Sequence, residues 1–161
     1  MAVTIKNLEK PDRERIECIL AEVKVFSSEE IKVALELIDS CLSGNPDYII
    51  KVAKGEDGMV LGYICYGQIP LTDAVWDIYW VVVSEKFQKK GIAERLLRYI
   101  EDDLKLCKAR AVMVETSSRP EYNPARSFYV KTGFSEVSRI KDFYAYGNDK
   151  VIYKKDLDTK R

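Results

Sequence analysis

The chain has no histidine among its 161 residues. That removes the Ser-His-Asp and Cys-His pairings that activate a nucleophile, and it removes a common nitrogen ligand of zinc. The four cysteines, Cys18, Cys41, Cys65 and Cys107, are widely spaced with no C-x-x-C pair, so no metal site is expected. Dispersed thiols suit a reducing compartment, and a cytoplasmic protein is expected. No apolar run approaches transmembrane length and no signal segment opens the chain, so no membrane partner is expected. An excess charge of either sign is also lacking: 26 basic residues balance 26 acidic ones. A nucleic-acid binder would show a surplus of lysine and arginine, so no nucleic-acid partner is expected either. What is present, 47% hydrophobic and 32% charged residues, belongs to a globular chain that can bury a sizeable core. One domain over residues 1–161 is expected.

The stretch Trp80–Ala93, WVVVSEKFQKKGIA, carries the strongest chemical signal. An apolar strand runs to Val83 and hands over, through a basic turn, to a helical pattern. A helix N-terminus presents N–H groups with no intrahelical partner, and its dipole favours an anion there. Gly91 and Ala93 keep side chains out of the way, while Lys89 and Lys90 add positive charge. The arrangement suits a phosphate ligand, though an ordinary strand–turn–helix with a solvated lysine pair would read the same way.

Around it the elements follow in order. A short strand covers Val3–Asn7. A helix begins near Pro11, with Ile16, Ile19, Leu20 and Val23 on one stripe. Ser27 or Ser28 caps a second helix that buries Ile31, Ala34, Leu35, Ile38 and Leu42 and stops at Gly44. A hairpin joins Tyr48–Ala53 to Met59–Gln68 through Glu56-Asp57-Gly58. Strand Ala74–Ser84 places Asp77, Tyr79, Val81 and Val83 on one face, and Trp76, Ile78, Trp80 and Val82 on the other. The next helix buries Ile92, Leu96, Leu97, Ile100 and Leu104. Strand Ala111–Thr116, a helix from Pro124 to Gly133 and strand Phe134–Ile140 come next. An aromatic loop at Asp142–Asp149 and strand Lys150–Lys154 follow, and a charged tail is expected to fray. The order β-α-α-β-β-β-turn-α-β-α-β-loop-β predicts an α/β (α+β) fold with a mixed sheet.

Gln88-x-x-Gly91-x-Ala93 after an apolar strand resembles the acyl-CoA signature of the GNAT-type N-acetyltransferase superfamily. The segment Ala125-x-x-Phe128-Tyr129-x-x-x-Gly133-Phe134 is similar to its second hallmark. The element order matches that fold over nearly the whole chain, with an acyl-CoA-binding core at residues 74–140. The resemblance implies a GNAT (acyl-CoA N-acyltransferase) fold and transfer of acetyl from acetyl-CoA, as co-substrate, to a primary amine by direct attack. It implies that Gln88, Lys89, Lys90, Gly91, Ile92 and Ala93 surround the pyrophosphate, that the main chain at Val81 and Val83 bonds pantetheine, and that Tyr129 protonates the departing thiolate. Where the family pattern has an Asn seven residues before this Tyr, the chain has Tyr122. Asn123 either takes over that pantetheine contact or caps the helix.

The amine proton needs an acceptor, and two carboxylates are candidates. Glu115 interrupts the buried strand Val112–Thr116, and Asp77 lies between Trp76 and Ile78. Trp76, Tyr79 and Tyr144 are expected to contact the amine, with Tyr63, Tyr66 and the 142–148 loop around them. A small-molecule amine is the expected acceptor. A protein N-terminus or lysine, or a catalytically idle acyl-CoA-binding domain, are the alternatives. Members of this fold often pair, so a homodimer is possible on the resemblance.

Overall fold

The structure is a computed structural model, and it describes residues 1–157. The charged tail expected to fray includes Asp158–Arg161, which lie outside the described residues. Seven strands and four helices alternate among the described residues: β1 (Thr4–Asn7), α1 (Asp12–Glu22), α2 (Ser28–Leu42), β2 (Ile49–Lys54), β3 (Val60–Gln68), β4 (Val75–Val83), α3 (Ile92–Leu106), β5 (Ala111–Ser117), α4 (Asn123–Lys131), β6 (Ser135–Ala145) and β7 (Asn148–Asp156). The strands order as β1-β2-β3-β4-β5-β7-β6. The β1–β2, β2–β3, β5–β7 and β6–β7 pairs are antiparallel, and β4 and β5 run parallel around the α3 crossover. This is the expected mixed α/β fold.

The chain divides into two compact units. The first takes Met1–Gly67 with Tyr79–Asp103, and the second takes Gln68–Ile78 with the chain from Leu104 on. In the first unit, Ile16, Ile19 and Leu20 of α1 and Ala34 and Ile38 of α2 bury against Ile50, Val52, Tyr63, Cys65 and Val82. Helix α2 starts where its sequence dictates. Ser27 Oγ accepts from Glu30 N–H at 3.1 Å while the Glu30 carboxylate accepts from Ser27 N–H at 2.7 Å, a reciprocal capping box. Asp12 begins α1 and is nearly buried, and Lys54 Nζ neutralises it at 2.8 Å. The β3 residues 60–67 are all buried, so both faces of that strand are covered. Gly67 is required there, because a Cβ would sit 2.1 Å from the carbonyl oxygen of Asp47.

The second unit builds on β5. Its Val112, Val114 and Thr116 point to a buried face, which α4 covers through Tyr129 against Tyr153. Gly133 ends α4 with φ at +101°, and Phe134 N–H returns to Tyr129 O at 2.9 Å. The aromatic segment after residue 140 differs from the expected loop. β6 continues to Ala145, pairs Ala145 with Asn148, and turns through Tyr146-Gly147. Three side-chain contacts hold that hairpin. Gly147 N–H donates to Asp142 Oδ1 (2.7 Å), Asp142 N–H donates to Asp149 Oδ1 (2.9 Å), and Asp149 N–H donates to Ser118 Oγ (2.7 Å). The sequence shows no apolar alternation there because β6 is an edge strand with no buried residue, Phe143 and Tyr144 included.

Candidate active site

In the first unit the strand-to-helix turn has an unusual backbone. β4 ends at Val83, and Glu85–Phe87 form one 3-10 turn. The Gln88 side-chain amide folds back to donate to Val83 O at 3.1 Å. Lys89 and Gly91 then both take positive φ, +60° and +80°. Arg95 N–H bonds Gly91 O at 3.0 Å, so Gly91 opens the α-helical ladder. The N–H groups of Ile92, Ala93 and Glu94 therefore fall in the turn that lacks intrahelical acceptors. A Cβ at Gly91 would meet nothing within 4 Å. The space above this backbone is open, and glycine is there for its conformation. Lys89 and Lys90 are exposed beside it, with Lys90 Nζ 5.4 Å from the Phe87 ring centre. Concave N–H groups, open space and two ammonium groups can hold a phosphate. Of the two β4 residues expected at the pantetheine, Val81 is half-buried and Val83 buried. Tyr79 is 36% exposed and stacks edge-to-face on Tyr48, with centroids 5.5 Å apart. Tyr63 and Tyr66 are core side chains and do not form a rim, because β3 is covered on both faces.

In the second unit the sheet register puts three charged side chains on one face. Asp77 lies opposite Met113, Glu115 follows two residues along β5, and Lys150 lies opposite Ser117. The two carboxyls differ. Glu115 is half-exposed and already paired, with Lys150 Nζ 2.7 Å from its Oε2. Asp77 is half-buried and has no hydrogen-bond or ion-pair partner among the described residues. Desolvation, with the Glu115 charge adding to it and Lys150 opposing, pushes the Asp77 carboxyl up to about 6. Lys150 also sits 4.5 Å from the centre of the Phe143 ring. Trp76 is half-buried opposite Val112, and Tyr144 is half-exposed on β6 against Phe143.

On the opposite face of this unit Tyr129 is buried among Phe128, Phe134 and Tyr153, with centroids 5.6, 5.7 and 5.9 Å away. Burial raises its hydroxyl well above the ordinary tyrosine value, with Tyr153 adding to the effect. That keeps it protonated. Asn123 is the first residue of α4 and makes no cap bond. Its Oδ1 instead accepts from Arg126, whose guanidinium also holds Ser117 O and Arg119 O. Sequence reasoning missed Arg126 and Lys150, since nothing in the local pattern separates them from the other basic residues. No group of three Cys, Asp or Glu placed to hold a metal occurs among the described residues. No described helix is long and apolar enough to cross a membrane.

Residues 7–134 match the model of the acetyltransferase (GNAT) family. The chain belongs to the GNAT acetyltransferase family. A GNAT-family protein from Desulfovibrio desulfuricans is 32% identical over 98% of this chain and 100% of its own, with a TM-score of 0.93. Two more distant GNAT-like structures share the fold. The ribosomal-protein-S18-alanine N-acetyltransferase of Escherichia coli has a TM-score of 0.79 at 15% identity, covering 99% of this chain and 97% of its own. An aminoglycoside 6'-N-acetyltransferase complexed with coenzyme A has 0.75 at 15% identity, covering 98% and 99%. No curated protein sequence matches the chain.

Proposed function

We propose that this GNAT acetyltransferase moves acetyl from acetyl-CoA to the primary amine of a small molecule by direct attack. The observation that carries the reading is the turn with Lys89 and Gly91 at positive φ, which opens α3 beneath unobstructed space. The left-handed conformation is costly for Lys89, and the turn suits a pyrophosphate bound by main-chain N–H groups. Gln88 to Ala93 would hold the pyrophosphate, with the β4 main chain at Val81 and Val83 along the pantetheine. Asn123, tied to Arg126, would contact the same arm through its amide N–H groups.

The chemistry needs two proton transfers. The acceptor arrives as an ammonium ion and must lose a proton before its lone pair can attack the thioester carbon. Asp77 is the proposed base, because a desolvated carboxyl poised near 6 is better matched to that task than the ion-paired Glu115. Glu115 and Lys150 instead set the charge around Asp77. As the C–S bond breaks, the Tyr129 hydroxyl would give its proton to the leaving sulfur; solvent would then return a proton to Tyr129 and take the amine's proton from Asp77, which resets both groups. Trp76, Tyr79 and Tyr144 would present apolar rings with polar tips to the amine.

A panel of small amines, protein N-terminal peptides and lysine peptides, assayed for thiol release with acetyl-CoA, tests this. Release with a small amine and with neither peptide class is expected. Acetyl-CoA should also raise the melting temperature more than ATP does. Equal shifts would remove the acyl-CoA reading, and release with peptides alone would remove the small-molecule one.

A further inference from the structure

Ser84 joins the end of β4 to the turn that leads into Gln88–Gly91, and it is fully buried. A buried hydroxyl needs partners, and these come from two residues of one helix. Ser84 Oγ donates to Glu22 Oε2 at 2.8 Å and accepts from Arg15 Nη2 at 3.2 Å. Arg15 Nη1 closes the triangle on Glu22 Oε1 at 2.9 Å. Ser84 N–H is fixed to Leu61 O at 2.8 Å, and Arg15 Nε reaches Val60 O at 3.4 Å. Just past α1, Phe26 stacks edge-to-face on Trp80, with centroids 5.2 Å apart. The C-terminal end of α1 is thus fastened to both Trp80 and Ser84.

The Arg15 and Glu22 side chains stay 27% and 33% exposed, so the ion pair by itself adds little stability. What it supplies is direction: charge-assisted bonds fix the Ser84 hydroxyl at the entrance to the turn. The chain after Ser84 has to hold Lys89 in the left-handed region, a conformation that costs a non-glycine residue and is kept by pinned flanks.

We infer that Glu22 is a positioning residue for the phosphate turn: with Arg15 it clamps Ser84, and so sets how the chain enters Gln88–Ala93. The inference rests on the proposed reading of that turn as the acetyl-CoA site. It makes the C-terminal end of α1 a determinant of co-substrate affinity.

The test compares Glu22→Gln, Glu22→Ala and Ser84→Ala with Glu17→Gln, a control on an exposed position of the same helix. Acetyl-CoA affinity is measured by calorimetry, alongside KM for each substrate and the melting temperature. Glu22→Ala and Ser84→Ala should weaken acetyl-CoA binding roughly tenfold, the scale of one charge-assisted bond. The near-isosteric Glu22→Gln keeps an acceptor for the hydroxyl and should weaken it less, with KM for the amine unchanged in all of them. Lowered melting temperatures with acetyl-CoA affinity equal to that of Glu17→Gln would overturn the inference and leave the clamp a purely structural device. Equal increases in both KM values would overturn it as well. Wild-type protein that failed to bind acetyl-CoA would instead overturn the reading of the turn, and the inference with it.

Discussion

Lys150 Nζ lies 2.7 Å from Glu115 Oε2, and the same ammonium faces the Phe143 ring at 4.5 Å. One lysine therefore satisfies one of the two candidate carboxylates and leaves the other, Asp77, with only its longer-range field. Asp77→Asn should lower the rate by about 100-fold or more, the scale of a lost general base. Glu115→Gln should change it by only a few-fold. Steady-state rates of the two variants under saturating acetyl-CoA check this, and the reverse order would transfer the base to Glu115.

The pH profile has a definite sign. A carboxyl poised at about 6 takes a proton only when ionised, so the rate should rise with pH through about 6 and level off above. Asp77→Asn should lack that limb, while any limb from the amine's own ionisation remains. Stability runs the other way. The folded value lies above the ordinary carboxylate range, so this group's contribution is full below about 4 and is lost as pH rises through about 6. Denaturation at pH 4 and pH 7 should therefore show Asp77→Asn gaining on wild type at pH 7.

Tyr129→Phe keeps the ring that packs on Phe134 and Tyr153 and deletes only the proton donor. A fall in kcat of roughly 10- to 100-fold is expected, with KM for acetyl-CoA and the melting temperature nearly unchanged. A poor leaving group should be more affected than a good one, so an acyl donor with a more acidic thiol should recover part of the rate.

Gly67 and Gly91 should fail in different ways. An alanine Cβ at Gly67 collides with the Asp47 carbonyl, so Gly67→Ala should cost about 1–3 kcal/mol or more in chemical denaturation. At Gly91 nothing obstructs a side chain, and only the φ of +80° opposes one. Gly91→Asn, which tolerates that region, should remain folded and bind acetyl-CoA better than Gly91→Val does.

The strand-to-helix turn and the positions of both candidate carboxylates were legible in the sequence because each rests on local spacing, whereas Tyr129 was singled out only through the resemblance to the family. Gly91 sits at a fixed offset from the end of an apolar strand, and Asp77 breaks an apolar alternation. What was not legible depends on register between distant segments. Nothing near residue 150 says that a lysine there will meet Glu115, since only the β5–β7 ladder brings them together. Ser84 and Glu22 are 62 positions apart and meet only through packing of α1 on the sheet. The aromatic run after Asp142 reads as a loop by composition, yet it pairs as strand because Asp142 and Asp149 tie the hairpin from within. Asn123 was weighed as a cap or a ligand contact, and its bond to Arg126 lay outside both readings.

The Tyr63 hydroxyl is fully buried, with no hydrogen-bond partner among the described residues. Its ionisation is displaced far up by desolvation, as is that of Tyr129. The unfolded chain gives up those protons near pH 10 and the folded chain does not, so alkali favours unfolding through these two rings. In an ultraviolet titration of the ten tyrosines, the exposed rings should therefore turn to phenolate reversibly and early. Tyr63 and Tyr129 should follow late, in a cooperative step that coincides with loss of circular dichroism. The core thus carries its own optical gauge of when it opens.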